Sequence, residues 1–388
     1  MRKILLIFGT RPEAIKLCPV IRSLREYSSS PVEAAARGAF DVKVCVTGQH
    51  RQMLDQVLEA FEVKPDHDLD LMLPGQTLFQ STSRILAGLE GVLKSERPDM
   101  VMVQGDTTTT FCGALAAFYL HVPVSHVEAG LRTGDLRQPF PEEMNRVLTS
   151  RLAALHFAAT EEAAENLRRE GVAACSISVT GNTGIDAVLY VRDGLEQRRL
   201  RGGNWPELEA SSKKLVLVTA HRRESFGEGF ERICRALAEL AERPDVLIVY
   251  PVHPNPNVQD PVQRYLAGHP NIRLIEPVSY VPFVDLMRRA YLLITDSGGI
   301  QEEGPSLGKP ILVLREKTER PEAVRAGTVK LVGTEVAAIV NEATRLIEDR
   351  DAYEAMARVH NPYGDGKASP RIAAVIHSFL EDKSRQKV

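Results

Sequence analysis

Three carboxylates, Asp106, Glu128 and Glu142, fall within VQGDTTTTFCGALAAFYLHVPVSHVEAGLRTGDLRQPFPEEMNR (103–146), each at or soon after the end of an apolar run. Carboxylates grouped this way suit acid–base chemistry, in which one group removes a proton and another delivers one. Each also has a quieter reading. Asp106 reads equally as the N-cap of a helix beginning near Thr108. Glu142 and Glu143 fall in a first helical turn, where capping alone accounts for both, and Arg146 has the i,i+4 spacing of a plain ion pair with Glu142. Glu128 is harder to dismiss, because HVEAGLR puts it beside His126, and burying a carboxylate is costly unless it is paired or solvated.

A second set of residues reads as anion-binding. In TDSGGIQEE (295–303) a strand ends, a small-residue turn follows and a helix begins. Backbone N–H groups of Ser297, Gly298, Gly299 and Ile300, with the helix dipole, suit a phosphate or diphosphate. The turn is neither a Walker A motif nor GxGxxG. Glu303, one helical turn beyond Gly299, reads as a partner for a ribose diol or as a helix cap. GTRPE (9–13) is a similar turn with Arg11 as an anion hook and Lys16 further along; the alternative for Arg11 is a solvated charge, which the dipole at a helix start disfavours. His221, Arg222 and Arg223 follow another strand and read as an anion or acid–base site, or as a surface basic cluster. His253 in PVHPNP, and Arg320 and Glu322 in REKTERPE, also stand at strand ends, with loop packing as the alternative. No His, Cys and carboxylate group has metal-ligand spacing, so no structural zinc is expected. GxSxG and Cys–His nucleophile signals are absent.

The elements that must position these residues alternate. Strands are expected at 3–8, 42–47, 99–104, 122–127, 155–158 and 177–180, with helices between them, one over 109–120. After a polar, charged break at 197–214, strands recur at 215–219, 246–250, 272–275, 291–295, 311–314 and 329–331. This alternation predicts parallel sheets covered on both faces, in two Rossmann-like doubly wound α/β domains facing across a cleft. The expected N-terminal domain is 1–186, the C-terminal domain 187–366 with a linker near 184–193, and a final helix over 368–384 packs back on the first domain.

Composition excludes other classes. At 388 residues, two domains are the expectation. A net charge of -3 carries no nucleic-acid signature. The five cysteines stand apart without CxxC, as expected of reduced thiols in a cytoplasmic protein. MRKILLIFGT reads as a strand, since Gly9 and Arg11 end the run too early for a signal peptide, and no apolar run is long enough to span a membrane.

Phosphate-binding turns on one wall and carboxylates with a histidine on the other suit acid–base work on the sugar of a nucleotide-sugar. The order of FGTRPEAIK, TGQHRQML, GDTTTT, HVEAGLRTGD, PEEMNR, TGNTGIDA, HRRESFG, TDSGGIQEE, LREKTERPE and HNPYGDG closely resembles the bacterial non-hydrolysing UDP-N-acetylglucosamine 2-epimerases, nearly end to end. The resemblance implies a GT-B type fold. It also implies interconversion of UDP-N-acetylglucosamine and UDP-N-acetylmannosamine by elimination of UDP and re-addition through 2-acetamidoglucal, feeding cell-envelope polysaccharide. By resemblance, Asp106, Glu128, Glu142 and His221 are catalytic. Arg11, Lys16, Arg146, Phe283, Ser297, Gly298, Gly299, Glu303 and Arg320 match substrate- and UDP-binding groups, with Tyr280–Pro282 near uracil. Gln49, Gln52, Arg222 and His253 match groups at an activator site for a second UDP-N-acetylglucosamine. A homodimer is implied, with no required cofactor and no nucleic-acid or membrane partner. Ala220 departs from the family, where glycine is common, and the 28–40 stretch is expected on the side away from the cleft. The alternatives are the hydrolysing 2-epimerase, which releases N-acetylmannosamine and UDP, and a GT-B glycosyltransferase.

Overall fold

In a computed structural model, which describes residues 1–29, 40–48, 51–73 and 75–385, the chain forms two compact units, Met1–Ala187 with Tyr363–Val388, and Val188–Pro362.

The first unit begins with β1 (Arg2–Phe8) and α1 (Arg11–Ser29), followed by β2 (Phe40–Val46), α2 (Arg51–Ala60) and β3 (His67–Asp68). It continues with α3 (Leu78–Glu96), β4 (Met100–Gln104), α4 (Thr108–Tyr119), β5 (Val124–Val127), α5 (Glu142–Leu152), β6 (Leu155–Ala158), α6 (Glu161–Arg169) and β7 (Ile177–Val179). The strands are all parallel in the order β3-β2-β1-β4-β5-β6-β7. Ile4 to Phe8 are wholly buried, a continuous apolar run that only a strand covered on both faces sustains. β3 has just two residues and no apolar run, which is why it leaves no mark in the sequence.

The chain passes to the second unit inside α7 (Thr183–Glu196), so the stretch expected as a linker is helical. A single turn, α8 (Pro206–Glu209), interrupts the polar break. Then come β8 (Lys214–Thr219), α9 (Glu228–Ala241), β9 (Val246–Pro251), α10 (Pro256–Leu266), β10 (Ile272–Ile275), α11 (Tyr280–Arg289), β11 (Leu292–Thr295) and α12 (Gly298–Glu303). β12 (Ile311–Val313), α13 (Pro321–Ala326), β13 (Val329–Leu331), α14 (Val336–Glu348) and α15 (Arg350–Ala357) complete it. The order is β10-β9-β8-β11-β12-β13, again all parallel. α15, absent from the sequence reading, starts at an Asp349 cap that accepts from the Asp351 and Ala352 amides.

The last helix, α16 (Ala368–Arg385), packs on α1 of the first unit. The buried Asp186 carboxylate accepts the Ala368 and Ser369 amides at 3.2 and 2.8 Å, which caps α16 and ties it to α7. His377 of α16 lies against Tyr27 and Phe40, with ring centroids 5.4 and 6.2 Å away.

Both sheets reverse direction at one point, between β1 and β4 in the first and between β8 and β11 in the second. Neighbouring strands there send their crossovers to opposite faces, leaving an open crevice at the carboxyl ends. The pairing sets the two strand ends level: Leu6 stands beside Met102, and Thr219 beside Thr295. Gly9 stands at the first crevice because nothing larger fits; a Cβ there would meet Thr47 Oγ1 at 2.2 Å.

Gly130, in the loop after β5, has φ +94°, and a Cβ on it would stand 2.1 Å from the Ala163 carbonyl oxygen of α6. Gly130→Ala therefore combines left-handed strain with a clash against backbone, and should destabilise the fold by about 3 kcal/mol. Denaturant unfolding checks this; a midpoint unchanged from wild type would mean the loop can lift from α6 without cost.

Candidate functional site

The first crevice holds five of the expected residues together. Arg146, buried on α5, places its guanidinium Nη2 2.8 Å from Asp106 Oδ2 in the loop after β4. Asn145, beside it in the chain, donates to the Asp106 carbonyl at 2.9 Å. Lys16, from α1, pairs with the Glu128 carboxylate, whose other oxygen accepts from the Gln104 amide. Glu142 opens α5, and its charge is felt at Asp106.

Burial pushes the Asp106 carboxyl up to about 6; Arg146 and Lys16 oppose the rise, while Glu128 and Glu142 add to it. Desolvation of the partly buried carboxyl outweighs the ion pair at 2.8 Å. Asp106 is thus a carboxyl able to hold or release a proton near neutral pH. Glu128 has φ +64°, a left-handed conformation that a side chain normally avoids and that costs on the order of 1–3 kcal/mol. The backbone tolerates it where Lys16 and Gln104 hold the carboxylate.

Several quieter readings fall away. Thr107, not Asp106, is the N-cap of α4 and accepts from Thr110 N at 3.2 Å. Arg146 does not simply pair with Glu142: its guanidinium goes to Asp106 and, at 3.4 Å, to Glu143, and only its Nε approaches the Glu142 backbone carbonyl. Glu143 is buried and accepts the Thr133 and Gly134 amides, both at 3.0 Å, which folds the loop after β5 onto α5. His126 is buried with Nε2 2.7 Å from the Gly105 carbonyl, and burial drives its pKa down to about 3. It is a neutral strut under the Asp106 loop, not an acid–base group.

Glu13 escaped the sequence reading. It is 1% exposed, and Oε2 accepts the Gly9 and Thr10 amides at 3.0 and 2.7 Å. Oε1 accepts the Thr107 hydroxyl at 2.7 Å. The β1 loop and the β4 loop are joined by this one carboxylate. Its only signal in the sequence was a glutamate in the turn that Arg11 opens. Arg11 itself begins α1, half-buried.

The second crevice gathers His221, Arg222, His253 and the Ser297 turn. Asp296, also 1% exposed, accepts the His221 and Arg222 amides at 2.6 and 2.7 Å. The His221 ring stacks on His253, with centroids 5.2 Å apart and planes at 16°, and His253 Nδ1 accepts from Asn255 N at 3.1 Å. Burial lowers the pKa of His221; Asp296 opposes this, and His253 and Arg222 add to it. Ser297 precedes α12 and donates its amide to Thr295 Oγ1 at 2.9 Å. Gly298 and Gly299 open α12. A Cβ on Gly298 would stand 3.7 Å from the Arg320 guanidinium, and one on Gly299 3.9 Å from Glu303 Oε1. Arg320 pairs with Glu302, and its amide donates to Thr318 Oγ1, whose hydroxyl donates to the buried Gln301. Tyr280, buried on α11, donates its hydroxyl to Glu303 Oε2 at 3.4 Å. Phe283 is on the same helix, half-buried. Gln49 and the side chain of Gln52 lie outside the described residues. Among the described residues no group of three or more His, Cys, Asp and Glu is placed to hold a metal ion, and no helix is long and apolar enough to cross a membrane.

The sequence profile of the UDP-N-acetylglucosamine 2-epimerase family matches residues 32–377. The chain is 56% identical over 375 residues to the Escherichia coli K12 UDP-N-acetylglucosamine 2-epimerase, covering 95% of this chain and 97% of that one. It is similar to the crystal structure of the Neisseria meningitidis UDP-GlcNAc 2-epimerase bound to UDP-GlcNAc, with TM-score 0.85 and 48% identity, covering 97% of this chain and 100% of that one. The Methanocaldococcus jannaschii UDP-GlcNAc 2-epimerase in complex with UDP-GlcNAc and UDP gives TM-score 0.75 at 34% identity, covering 97% and 99%. These likenesses establish the two Rossmann-like domains as GT-B type.

The raised Asp106 pKa has a direction that can be measured. Because the folded value of about 6 lies above the ordinary 3.8, the folded state binds this proton more tightly. Its contribution to stability is full below 3.8 and is lost as pH rises through about 6. Carbon-13 NMR of aspartate-labelled protein should show one carboxyl titrating near 6, and Arg146→Gln should move that midpoint upward by removing the opposing cation. A downward move would mean that burial does not govern Asp106.

Proposed function

The chain belongs to the UDP-N-acetylglucosamine 2-epimerase family, and from that premise we propose that it interconverts UDP-N-acetylglucosamine and UDP-N-acetylmannosamine in the non-hydrolysing manner. The observation that carries this reading is the first crevice. Asp106 is poised to exchange a proton near pH 6, beside Glu128 ion-paired to Lys16 and within the field of Glu142.

The reaction inverts a carbon whose hydrogen is only weakly acidic, so direct deprotonation and reprotonation would be slow. Elimination avoids a free carbanion. As a carboxylate takes the C2 proton, the C2–H electron pair forms a C1–C2 double bond and the C1–oxygen bond to UDP breaks. The products are 2-acetamidoglucal and UDP. Re-addition reverses these steps with the proton delivered to the opposite face of C2, and UDP returns to C1. Asp106, Glu128 and Glu142 share the two proton-transfer roles, which need one group able to accept and another able to give. The balance is redox-neutral and calls for no cofactor.

Departure of UDP needs stabilisation of the diphosphate. The Ser297 hydroxyl, the Gly298 and Gly299 amides, Arg11 and Arg320 supply it, Glu303 takes the ribose diol with Tyr280 steadying it, and Phe283 lies toward uracil. His221 is a further catalytic group of the reaction, a proton carrier in addition to the carboxylates. Gln49, Gln52, Arg222 and His253 belong to the site of an activating second UDP-N-acetylglucosamine, and the working unit is a homodimer.

Incubation with UDP-N-acetylglucosamine in deuterated water, followed by proton NMR, tests the reaction. Deuterium at C2 of a UDP-sugar product is expected. Free N-acetylmannosamine would identify a hydrolysing enzyme instead, and transfer without exchange at C2 a glycosyltransferase. Asp106→Asn and His221→Asn should each lower kcat by about 10²-fold or more. UDP affinity, measured by calorimetry, should stay within about threefold, a change of less than 1 kcal/mol. Equal losses in both measurements would assign these groups to binding.

A further inference from the structure

Asp296 is buried at the end of β11, directly before Ser297, and has so far appeared only as a clamp. Its two oxygens are in different situations. Oδ2 accepts the His221 and Arg222 amides at 2.6 and 2.7 Å and so holds the β8 loop to the β11 loop. Oδ1 is also buried, has no hydrogen-bond partner among the described residues, and stands 3.8 Å from His221 Nδ1. A buried carboxylate oxygen without a donor is costly, and the imidazole is the polar group that faces it.

We propose that Asp296 is the positioning residue for His221. Its Oδ1 accepts the Nδ1–H of the ring, which leaves Nε2 as the nitrogen that takes up and gives back a proton. The two ring nitrogens of a neutral histidine are interdependent, so a fixed acceptor at one decides the state of the other. The 3.8 Å separation closes with a small ring rotation, and such bonds are commonly long before a substrate binds. The His253 ring lies nearly parallel to His221, with centroids 5.2 Å apart, and its own Nδ1 accepts from Asn255 N. The groups acting on His221 have opposed effects. Burial, His253 and Arg222 favour the neutral ring, and Asp296 is the one that favours the charged ring. Asp296 thus both sets the tautomer and steadies the ring when it is protonated. The proposal rests on the reading of His221 as a proton carrier in the epimerase reaction.

The test uses the full chain with nitrogen-15-labelled histidine, the His221 signals being assigned by their loss in His221→Asn. In wild type, at a pH where the ring is neutral, Nδ1 should be protonated and Nε2 not. Asp296→Asn should reverse this. Its carbonyl oxygen is required by the two loop amides, so its NH2 group faces Nδ1 and can be met only by a lone pair. In the same variant kcat for UDP-N-acetylglucosamine should fall by about 10²-fold or more, as expected of a wrong tautomer. UDP affinity should hold within about threefold. In a His221→Asn background the further Asp296→Asn change should cost less than about threefold, because its effect passes through the ring. An unchanged tautomer, or the same loss with and without His221, would reduce Asp296 to a loop clamp. Should Asp296→Asn not fold, the wild-type spectrum decides alone, since a ring protonated at Nε2 overturns the proposal. Wild-type turnover in His221→Asn would instead overturn the role given to His221, leaving the tautomer measurement to judge Asp296.

Discussion

Each unit depends on a buried carboxylate that ties two loops together where its sheet reverses. Strands adjacent at such a point send their crossovers to opposite faces, so the loops diverge and their backbone N–H groups point into the gap without sheet partners. Glu13 satisfies Gly9, Thr10 and Thr107 in the first unit, and Asp296 satisfies His221 and Arg222 in the second. A carboxylate suits this place because two oxygens accept from several directions at once. Desolvation raises the Glu13 pKa, and the donors from both loops oppose that rise. The Asp106 turn is held by one of these cross-ties, and the His221 loop beside the Ser297 turn by the other.

Electrostatics at the first crevice is a contest that burial wins at Asp106. Arg146 and Lys16 bring two positive charges to a place holding Asp106, Glu128 and Glu142, yet the Asp106 carboxyl still rises to about 6. Taking a carboxylate out of water costs more than one well-placed guanidinium returns. The surroundings keep this economy from collapsing into an inert ion-pair network. His126 is neutral and spent on the Gly105 carbonyl, so it adds no charge. Glu128 sits on a left-handed backbone with its carboxylate held by Lys16 and Gln104.

Much of this was legible from local pattern. The apolar runs ending at Phe8, Gln104, Thr219 and Thr295 announced strands, because a strand buried on both faces needs an unbroken run. Asp106, Glu128, His221 and the Ser297 turn stood out as polar residues at strand ends, but local pattern left capping, pairing, surface-cluster and tight-turn readings open, and the family resemblance singled them out. Glu13 and Glu143 were not, since a buried carboxylate whose partners are backbone amides has the same local sequence as one that merely caps a helix. β3 was missed because two paired residues carry no periodicity, and α15 because a short helix beginning at an aspartate looks like a charged loop.

By itself, the sequence determined the alternation of strand and helix, the division into two α/β units and the residue types at each strand end, because these follow from patterns a few residues long. Strand order is different in kind. That β1 lies beside β4 and β8 beside β11 depends on which crossovers turn back, a matter of packing between segments about 80 to 100 residues apart along the chain. Only the tertiary structure brings Lys16 to Glu128, Arg146 to Asp106 and Asp296 to His221. Only burial in that structure turns Asp106 from a possible helix cap into a carboxyl that titrates near neutrality, because desolvation is a property of the surroundings and not of the residue.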